Sequence, residues 1–316
     1  MSADLATQPM SDILGHLDRR DVLLTALVAV TVWYLAITLI AVRRAARTKS
    51  VGTSPAFLLT GFIANFFDTL GIGSFATTTS IFRQWRLVQD EDIPGTLNAG
   101  HALPTIAEAF IYTKIVPVDT WTLILMIVAA ALGAWLGAGV VSRWPRRWIQ
   151  LGMGCALAAA ALIMLAGQVH ILPSGGDLLG LHDGRLVIGL LGNFVLGMLM
   201  TIGIGLYAPC MILVTLLGMN PTTAFPIMMG SCAFLMPVAS ARFIRAGSFN
   251  LRAAIGLTVG GIPAVLIAAF IVKSLPLAAV RWLVVVVVIY TAWGLIRAAT
   301  ARSLAARPSE AVSRPS

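Results

Sequence analysis

A chain of 316 residues that is 58% hydrophobic and only 11% charged lacks the charge to cover the surface of a soluble domain of its size. Its net charge of +9 sits in short basic clusters at the ends of apolar blocks, such as Arg43-Arg44-Ala-Ala-Arg47-Thr-Lys49, which is the signature of membrane helices and not of a nucleic-acid surface. The alternation of a β-barrel span is absent, and Cys155, Cys210 and Cys232 lie inside apolar stretches with no metal spacing or disulfide framework.

The first apolar block, Val22–Val42, carries no charged side chain. A charge-balanced flank, Asp18-Arg19-Arg20-Asp21, precedes it and the strong basic cluster follows, so it reads as a retained helix with its N-terminus outside. Residues 1–50 are therefore expected to form a tail and one extra N-terminal helix.

The next block, Ser54–Ile81, runs for 28 residues and has Gly71-Ile-Gly73 within it. One continuous helix would be about 42 Å long, too long for an ordinary span, and two full passes would need more chain. A helix, a break at the glycines and a second helix leaving on the same side fit this length. Ser74 suits the cap of the second helix, and hydroxyls follow it through Thr77 to Thr79.

Pro94–Tyr112 follows, with Asn98, His101, Thr105, Glu108 and Tyr112 at spacings of 3, 4, 3 and 4, a single polar stripe along one helical face. Ionisable groups inside a membrane usually face a bundle interior or an aqueous path. Pro104 removes the N–H that would bond the Gly100 carbonyl. Two ordinary spans, Trp121–Val141 and Trp148–Gln168, complete this part, with the Arg143–Arg147 cluster between them.

The same order then recurs. Gly71-Ile-Gly73-Ser-Phe-Ala76 matches Gly203-Ile-Gly205-Leu-Tyr-Ala208, 132 residues later; Pro94 matches Pro221 at an offset of 127, and Pro145 matches Pro276 at 131. Leu186–Leu217, of 32 residues, is the second long block, and Pro209 suits the first turn of the helix after its break. Ala253–Val272 and Trp282–Ile296 are further spans, and a basic tail ends the chain.

If both long blocks re-enter, most of the 22 Lys and Arg fall on the cytosolic side, the Arg143–Arg147 cluster included; single passes would put that cluster outside. The first repeat then begins inside and the second outside. The expected fold is an all-α polytopic membrane protein of two inverted repeats, each a broken re-entrant helix pair followed by three transmembrane helices, plus the N-terminal helix. The expected units are 1–50, 51–170, 171–299 and a disordered cytoplasmic tail at 300–316.

Irregular backbone at membrane depth persists only where protein or a water-filled cavity covers it. Two helix N-termini at the breaks offer N–H groups and positive dipole ends to an anion. The candidate substrate-binding residues are Gly71, Gly73, Ser74, Thr77, Gly203, Gly205, Tyr207 and Cys210. Asp68, His101 and Glu108 are the candidates for proton coupling, with Asn65, Asn98 and Thr105 lining the same path. Asp68 beside an anion site either is protonated, pairs with His101 or binds a coupling cation, and residue types alone do not separate these. The second repeat has Met200 opposite Asp68 and Ser231 opposite His101, so the charged chemistry is concentrated in the first half.

These segments resemble the sulfite exporter TauE/SafE family of membrane transporters. Gly61-Phe-Ile-Ala-Asn-Phe-Phe-Asp-Thr-Leu-Gly-Ile-Gly-Ser-Phe-Ala-Thr-Thr-Thr79 carries most of the likeness and Gly203-Ile-Gly-Leu-Tyr-Ala-Pro209 the rest, within roughly Phe57 to Ala299. The family pattern is richer in glycine at the first break, where Ser74 and Phe75 stand here. The resemblance implies transport of sulfite, sulfonates or other small organosulfur or carboxylate anions across a bacterial inner membrane. No nucleotide motif is present, so an ion gradient, that of protons foremost, would drive it. The expected partners are a small anionic solute and the lipid bilayer, with no nucleic acid, no metal and no cofactor; a homo-oligomer is compatible with the sequence. A cation carrier using Asp68 and Glu108, or an intramembrane enzyme, is the alternative.

Overall fold

The computed structural model describes residues 19–47, 52–89, 92–137, 176–200 and 205–273, and parts of 151–166 and 276–300. Helix α1, Arg19–Ala46, has Asp21 in its first turn and Arg43 and Arg44 in its last, each complementing the local helix dipole. It shows most of its apolar side chains outward, Val32 and Trp33 among them, and buries Tyr34, whose hydroxyl donates to the Ala99 carbonyl at 2.7 Å.

Helix α2, Pro55–Thr69, opens on a proline and ends at Leu70; helix α3, Ser74–Gln84, starts after Gly73. Gly71 and Gly73 have φ of 92° and 86°, a region that side chains with a Cβ disfavour, and this is how the chain breaks. The Phe57 and Phe82 rings meet edge to face at 6.0 Å, so the start of α2 lies beside the end of α3 and the pair folds back on itself. Helix α4, Ile93–Ile115, then crosses the molecule. The carbonyl that Pro104 leaves at Gly100 accepts the Thr258 hydroxyl at 2.7 Å. Helix α5 is Thr120–Gly137.

Helix α6, Asp183–Met200, and helix α7, Tyr207–Leu216, make a second hairpin. A Cβ at Gly192 would meet Leu213 at 2.7 Å, and one at Gly189 would lie 3.4 Å from Leu217, so α7 runs back along α6. The Pro221–Thr223 3-10 turn follows Asn220, whose side-chain oxygen accepts the Thr222 N–H at 3.0 Å. Helix α8, Ala224–Ala246, ends at Gly247 in the left-handed conformation, and helix α9 is Leu251–Lys273. By length and composition Arg19–Ala46, Asp183–Met200, Pro221–Ala246 and Leu251–Ile271 are each able to cross a membrane.

Small residues set the packing. α2 lies on α9, where a Cβ at Gly61 would meet the Leu257 backbone at 2.6 Å. α6 lies on α5, with Gly133 against the Phe194 carbonyl and Gly197 against the Ala130 carbonyl. α4 pairs with α8, and the Tyr112 and Phe225 rings stack at 5.2 Å. Such close backbone approach is the usual way helices associate in lipid.

Contacts at the helix ends sort the charges. Arg252 Nε donates to the Gly52 carbonyl at 2.7 Å, and the Asn250 N–H to Thr96 Oγ1 at 2.8 Å, which gathers the chain around 52–54, 92–96 and 245–252 at one end. Asp119 N–H donates to the Leu179 carbonyl at 2.8 Å, Asn220 N–H to the Leu178 carbonyl at 2.8 Å, and Arg19 lies 4.6 Å over the Trp121 ring at the other. Among the described side chains the first end holds Arg43, Arg44, Arg47, Arg83, Arg86, Arg242, Arg245 and Arg252 against Asp92. The second mixes Arg19, Arg20, Lys114 and Arg185 with Asp21, Asp119, Asp177 and Asp183. The Arg143–Arg147 cluster, the tail at 300–316 apart from Thr300, and part of each of the two expected spans at 148–168 and 282–296 lie outside the described residues. A Cβ at Gly154 would meet Ile296 at 2.7 Å, so the described parts of those two segments touch.

Candidate substrate site at the paired helix breaks

The two breaks face each other across a small cavity of about 20 Å³. Asp68, Gly73 and Ser74 come to it from the first hairpin, Thr105 from α4, and Gly205 and Tyr207 from the second hairpin. At that volume it has room for about one water.

The local sequence explains the first wall. Gly73, not Ser74, is the N-cap of α3, a correction to the expected cap; Ser74 is the first helical residue. Gly73 has no side chain to accept the free N–H groups of the first turn, and Asp68 performs that task from the end of α2. Its Oδ1 accepts the Ser74 N–H at 2.6 Å, and Asp68 is buried at 2% exposure. The Thr77 hydroxyl donates back to the Gly73 carbonyl at 3.4 Å and does not line the cavity. Gly71 turns the chain with a Met211 methyl 2.8 Å from where its Cβ would be.

The polar stripe of α4 divides. Thr105 faces the cavity, is fully buried, and its hydroxyl has no hydrogen-bond partner. Glu108, one turn on, is also fully buried: Thr69 Oγ1 lies 2.8 Å from Oε1, and the Tyr207 hydroxyl donates to Oε2 at 3.0 Å. Tyr112 donates to the Thr69 carbonyl at 3.1 Å. No lysine pairs with Glu108 in this arrangement, and the carboxyl joins α2, α4 and α7.

His101 lies off the cavity. Its Nδ1 is 3.0 Å from Asn65 Oδ1 and its Nε2 3.0 Å from Thr78 Oγ1. Asn65 Nδ2 donates to the Gly61 carbonyl at 2.7 Å, which fixes the amide so that Oδ1 accepts and His101 Nδ1 carries a proton. His101 thus ties α2 to α3 across the break, and Asp68 pairs with Ser74 instead of with it. Asn98 donates to Pro94 of its own helix at 2.8 Å and reaches nothing at the breaks. Cys210 is buried in α7 without lining the cavity, and Gly203 lies outside the described residues.

The residue pattern did not single out Met200, Cys232 and Met236 as part of this site, yet they close the cavity's apolar side. Cys232 Sγ and Met200 Sδ are 3.4 Å apart. The repeat alignment that sets Met200 opposite Asp68 is the one signal that pointed there. Among the described residues no group of three or more His, Cys, Asp or Glu is placed to hold a metal ion.

Residues 11–164 match the model of the sulfite exporter TauE/SafE family. The chain's similarity to that family thus spans α1 through α5, and together with its apolar helices supports a multi-pass helical membrane protein. No curated protein and no solved structure gives a significant match. The TauE/SafE-like segment supplies Asp68, Gly73, Ser74, His101, Thr105 and Glu108, whereas Gly205 and Tyr207 come from beyond it.

Proposed function

We propose that this protein is a secondary carrier, and not an enzyme, that moves a small anion across the bacterial inner membrane with proton coupling. The substrate class is sulfite, a sulfonate, or another small organosulfur or carboxylate anion, in keeping with the similarity to sulfite exporters. The observation that carries the reading is the meeting of two helix starts, at Ser74 and Tyr207, on one cavity whose lining includes no Lys or Arg. Helix-end N–H groups and dipoles are the positive features left to hold an anion, each contributing roughly 0.3–2 kcal/mol. A cation would find the carboxylates already engaged: Asp68 Oδ1 by Ser74, and Glu108 by Thr69 and Tyr207.

Alternating access in this reading comes from two inverted repeats. Its support is a swapped set of contacts. Asn65 of the first hairpin meets His101 and reaches the Leu257 carbonyl; Asn193 of the second meets Ser231 and the Met126 carbonyl. Each hairpin thus rests on a helix of the other half. The arginine-rich end is assigned to the cytosol by the positive-inside rule, which puts the N-terminus outside.

Asp68 and Glu108 are assigned the coupling protons. Thr69 has a single hydroxyl proton and two acceptors, the Asn65 carbonyl and Glu108, both at 2.8 Å. A proton on Glu108 Oε1 satisfies both contacts at once. His101, between two neutral partners, braces the break. Labelled sulfite flux into proteoliposomes of the purified protein tests the function: an imposed proton gradient should drive saturable flux. Gradient-insensitive flux, or flux of small cations in its place, would refute it.

A further inference from the structure

We propose that the Asp68 carboxylate occupies the substrate's own place at the start of α3, so that each monovalent anion bound requires Asp68 to take up one proton. This rests on the anion-carrier reading above and adds to it the competing ligand, the stoichiometry and the sign of the pH dependence.

The argument begins with a donor already in use. The first N–H of α3 is that of Ser74, a residue of the cavity wall, and Asp68 Oδ1 holds it at 2.6 Å. An anion that docks on this helix start must take that N–H from Asp68. The cavity, about 20 Å³, is sized for a water and not for an oxyanion with an organic group, so docking also moves the Asp68 side chain aside. Thr105 gives the independent sign that the place is built for a ligand. Its hydroxyl is fully buried, faces the same cavity and has no partner while Asp68 holds Ser74. An anion accepting from Ser74 N–H has the Thr105 hydroxyl as its next donor.

Charge then fixes the proton. The titratable groups facing Asp68 are Glu108 from α4, Tyr207 from α7 and Cys232 from α8, and none brings a positive charge. His101, on α4, is held by Asn65 and Thr78. Two anions side by side in this place would repel each other, with no Lys or Arg in the lining to offset them. The balanced exchange is one for one. A proton from water bonds to an Asp68 carboxylate oxygen, the Ser74 N–H passes from Asp68 to the incoming anion, and the site keeps the same net charge. Release of the anion reverses both steps. The transported unit is an anion together with a proton, and the binding step is electroneutral.

The sign follows. Anion binding needs the protonated carboxyl, so affinity is full at low pH and falls as pH rises. Where Asp68 is ionised in the anion-free protein, the fall is about tenfold per pH unit for one proton. Methanesulfonate is a suitable probe because its own charge does not change between pH 5 and 9. Proton uptake is read with a pH indicator at the alkaline end of that range, where Asp68 is ionised in the anion-free protein, in weakly buffered detergent solution of the purified full chain, and affinity by titration at several pH values. The expected result is one proton taken up per methanesulfonate bound, a pH-dependent dissociation constant in the wild type, and a flat one in Asp68→Asn. That variant should lose accumulation driven by a proton gradient. Thr105→Val should weaken binding about tenfold and leave the proton count at one. Binding without proton uptake overturns the proposal, as does an unchanged pH slope in folded Asp68→Asn; either leaves the anion carrier standing. The wild-type proton count decides even where the variant does not fold. Failure of the wild type to bind either methanesulfonate or sulfite at any pH overturns the anion-carrier reading itself, and this proposal with it.

Discussion

Adding one methyl group at Gly205 is the cleanest test of where the substrate sits. A Cβ there would meet nothing within 4 Å, its backbone does not have the positive φ of Gly73, and the residue lines the cavity. The methyl therefore takes open space beside the cavity, which has room for only about one water. Filling apolar space is neutral or contributes up to about 0.8 kcal/mol of stability. An anion that uses the same space loses it, so affinity should fall by at least about tenfold, or roughly 1.4 kcal/mol. Gly133→Ala is the opposite control. Its Cβ would run into the Phe194 backbone carbonyl, which cannot turn away as a side chain would, and overpacking of this kind costs about 1–3 kcal/mol. Gly73→Ala is a poorer test, since a Cβ at φ 86° adds roughly 1–3 kcal/mol of backbone strain to any effect on binding. The assay is thermal unfolding of the detergent-purified protein with and without sulfite or methanesulfonate. Gly205→Ala should unfold at the wild-type temperature and lose the ligand-induced shift, while Gly133→Ala should unfold earlier and keep it. A full ligand shift in Gly205→Ala would put the substrate elsewhere.

Three other outcomes are expected. Glu108→Gln keeps acceptor and donor positions for Tyr207 and Thr69 but removes the exchangeable proton, so gradient-driven flux should drop at least tenfold while anion affinity changes less than threefold; normal proton-driven flux would remove Glu108 from the coupling path. His101→Ala leaves Asn65 Oδ1 and Thr78 Oγ1 without their partner, at about 1–3 kcal/mol for each buried group so stranded, and should lower the unfolding temperature without altering the proton count of anion binding. In a background without Cys155, Cys210 and Cys232, single cysteines at Gln89 and Ser248 should resist an impermeant thiol reagent in intact cells and one at Asp177 should react; the reverse pattern would refute the assigned orientation.

Much of this was legible in the sequence because it is encoded locally. The broken helices follow from G-x-G inside blocks too long for one span, and Gly71 and Gly73 do turn the chain with positive φ. The α4 stripe follows from spacing alone, and Thr105, Glu108 and Tyr112 do share the inward face. What spacing cannot supply is the partner. Asn98 belongs to the same stripe but sits about two turns nearer the helix start than Thr105 and bonds Pro94. His101 looks like a proton carrier in isolation and proves to span Asn65 and Thr78, residues on two other helices. Spacing likewise points to Ser74 as the cap of α3, where Gly73 is the cap residue and Asp68 the acceptor. An acid six residues before a helix start reaches it only if the intervening turn folds back, which Gly71 and Gly73 allow. Met200, Cys232 and Met236 carry no pattern of their own, since an apolar residue beside a cavity looks like any other in a membrane helix.

The contacts of the two halves agree where they bear load and differ where they carry charge. Asn65 and Asn193 make matching bonds to helices of the opposite half, which serves packing alone. Beside them His101 faces Asn65, whereas Ser231 faces Asn193 and leaves Asn193 Oδ1 buried without a partner. At the breaks Asp68 caps α3, but the aligned residue Met200 has no acceptor to offer α7. In the proposed carrier the start of α7, where Leu206 gives no side-chain cap, keeps its positive end toward the cavity, and the start of α3 exposes its own when Asp68 is protonated or displaced. One steady attraction and one that is switched by a proton are what an anion carrier needs to bind on one side and release on the other. Two steady ends would hold the anion through both states, and two capped ends would never attract it.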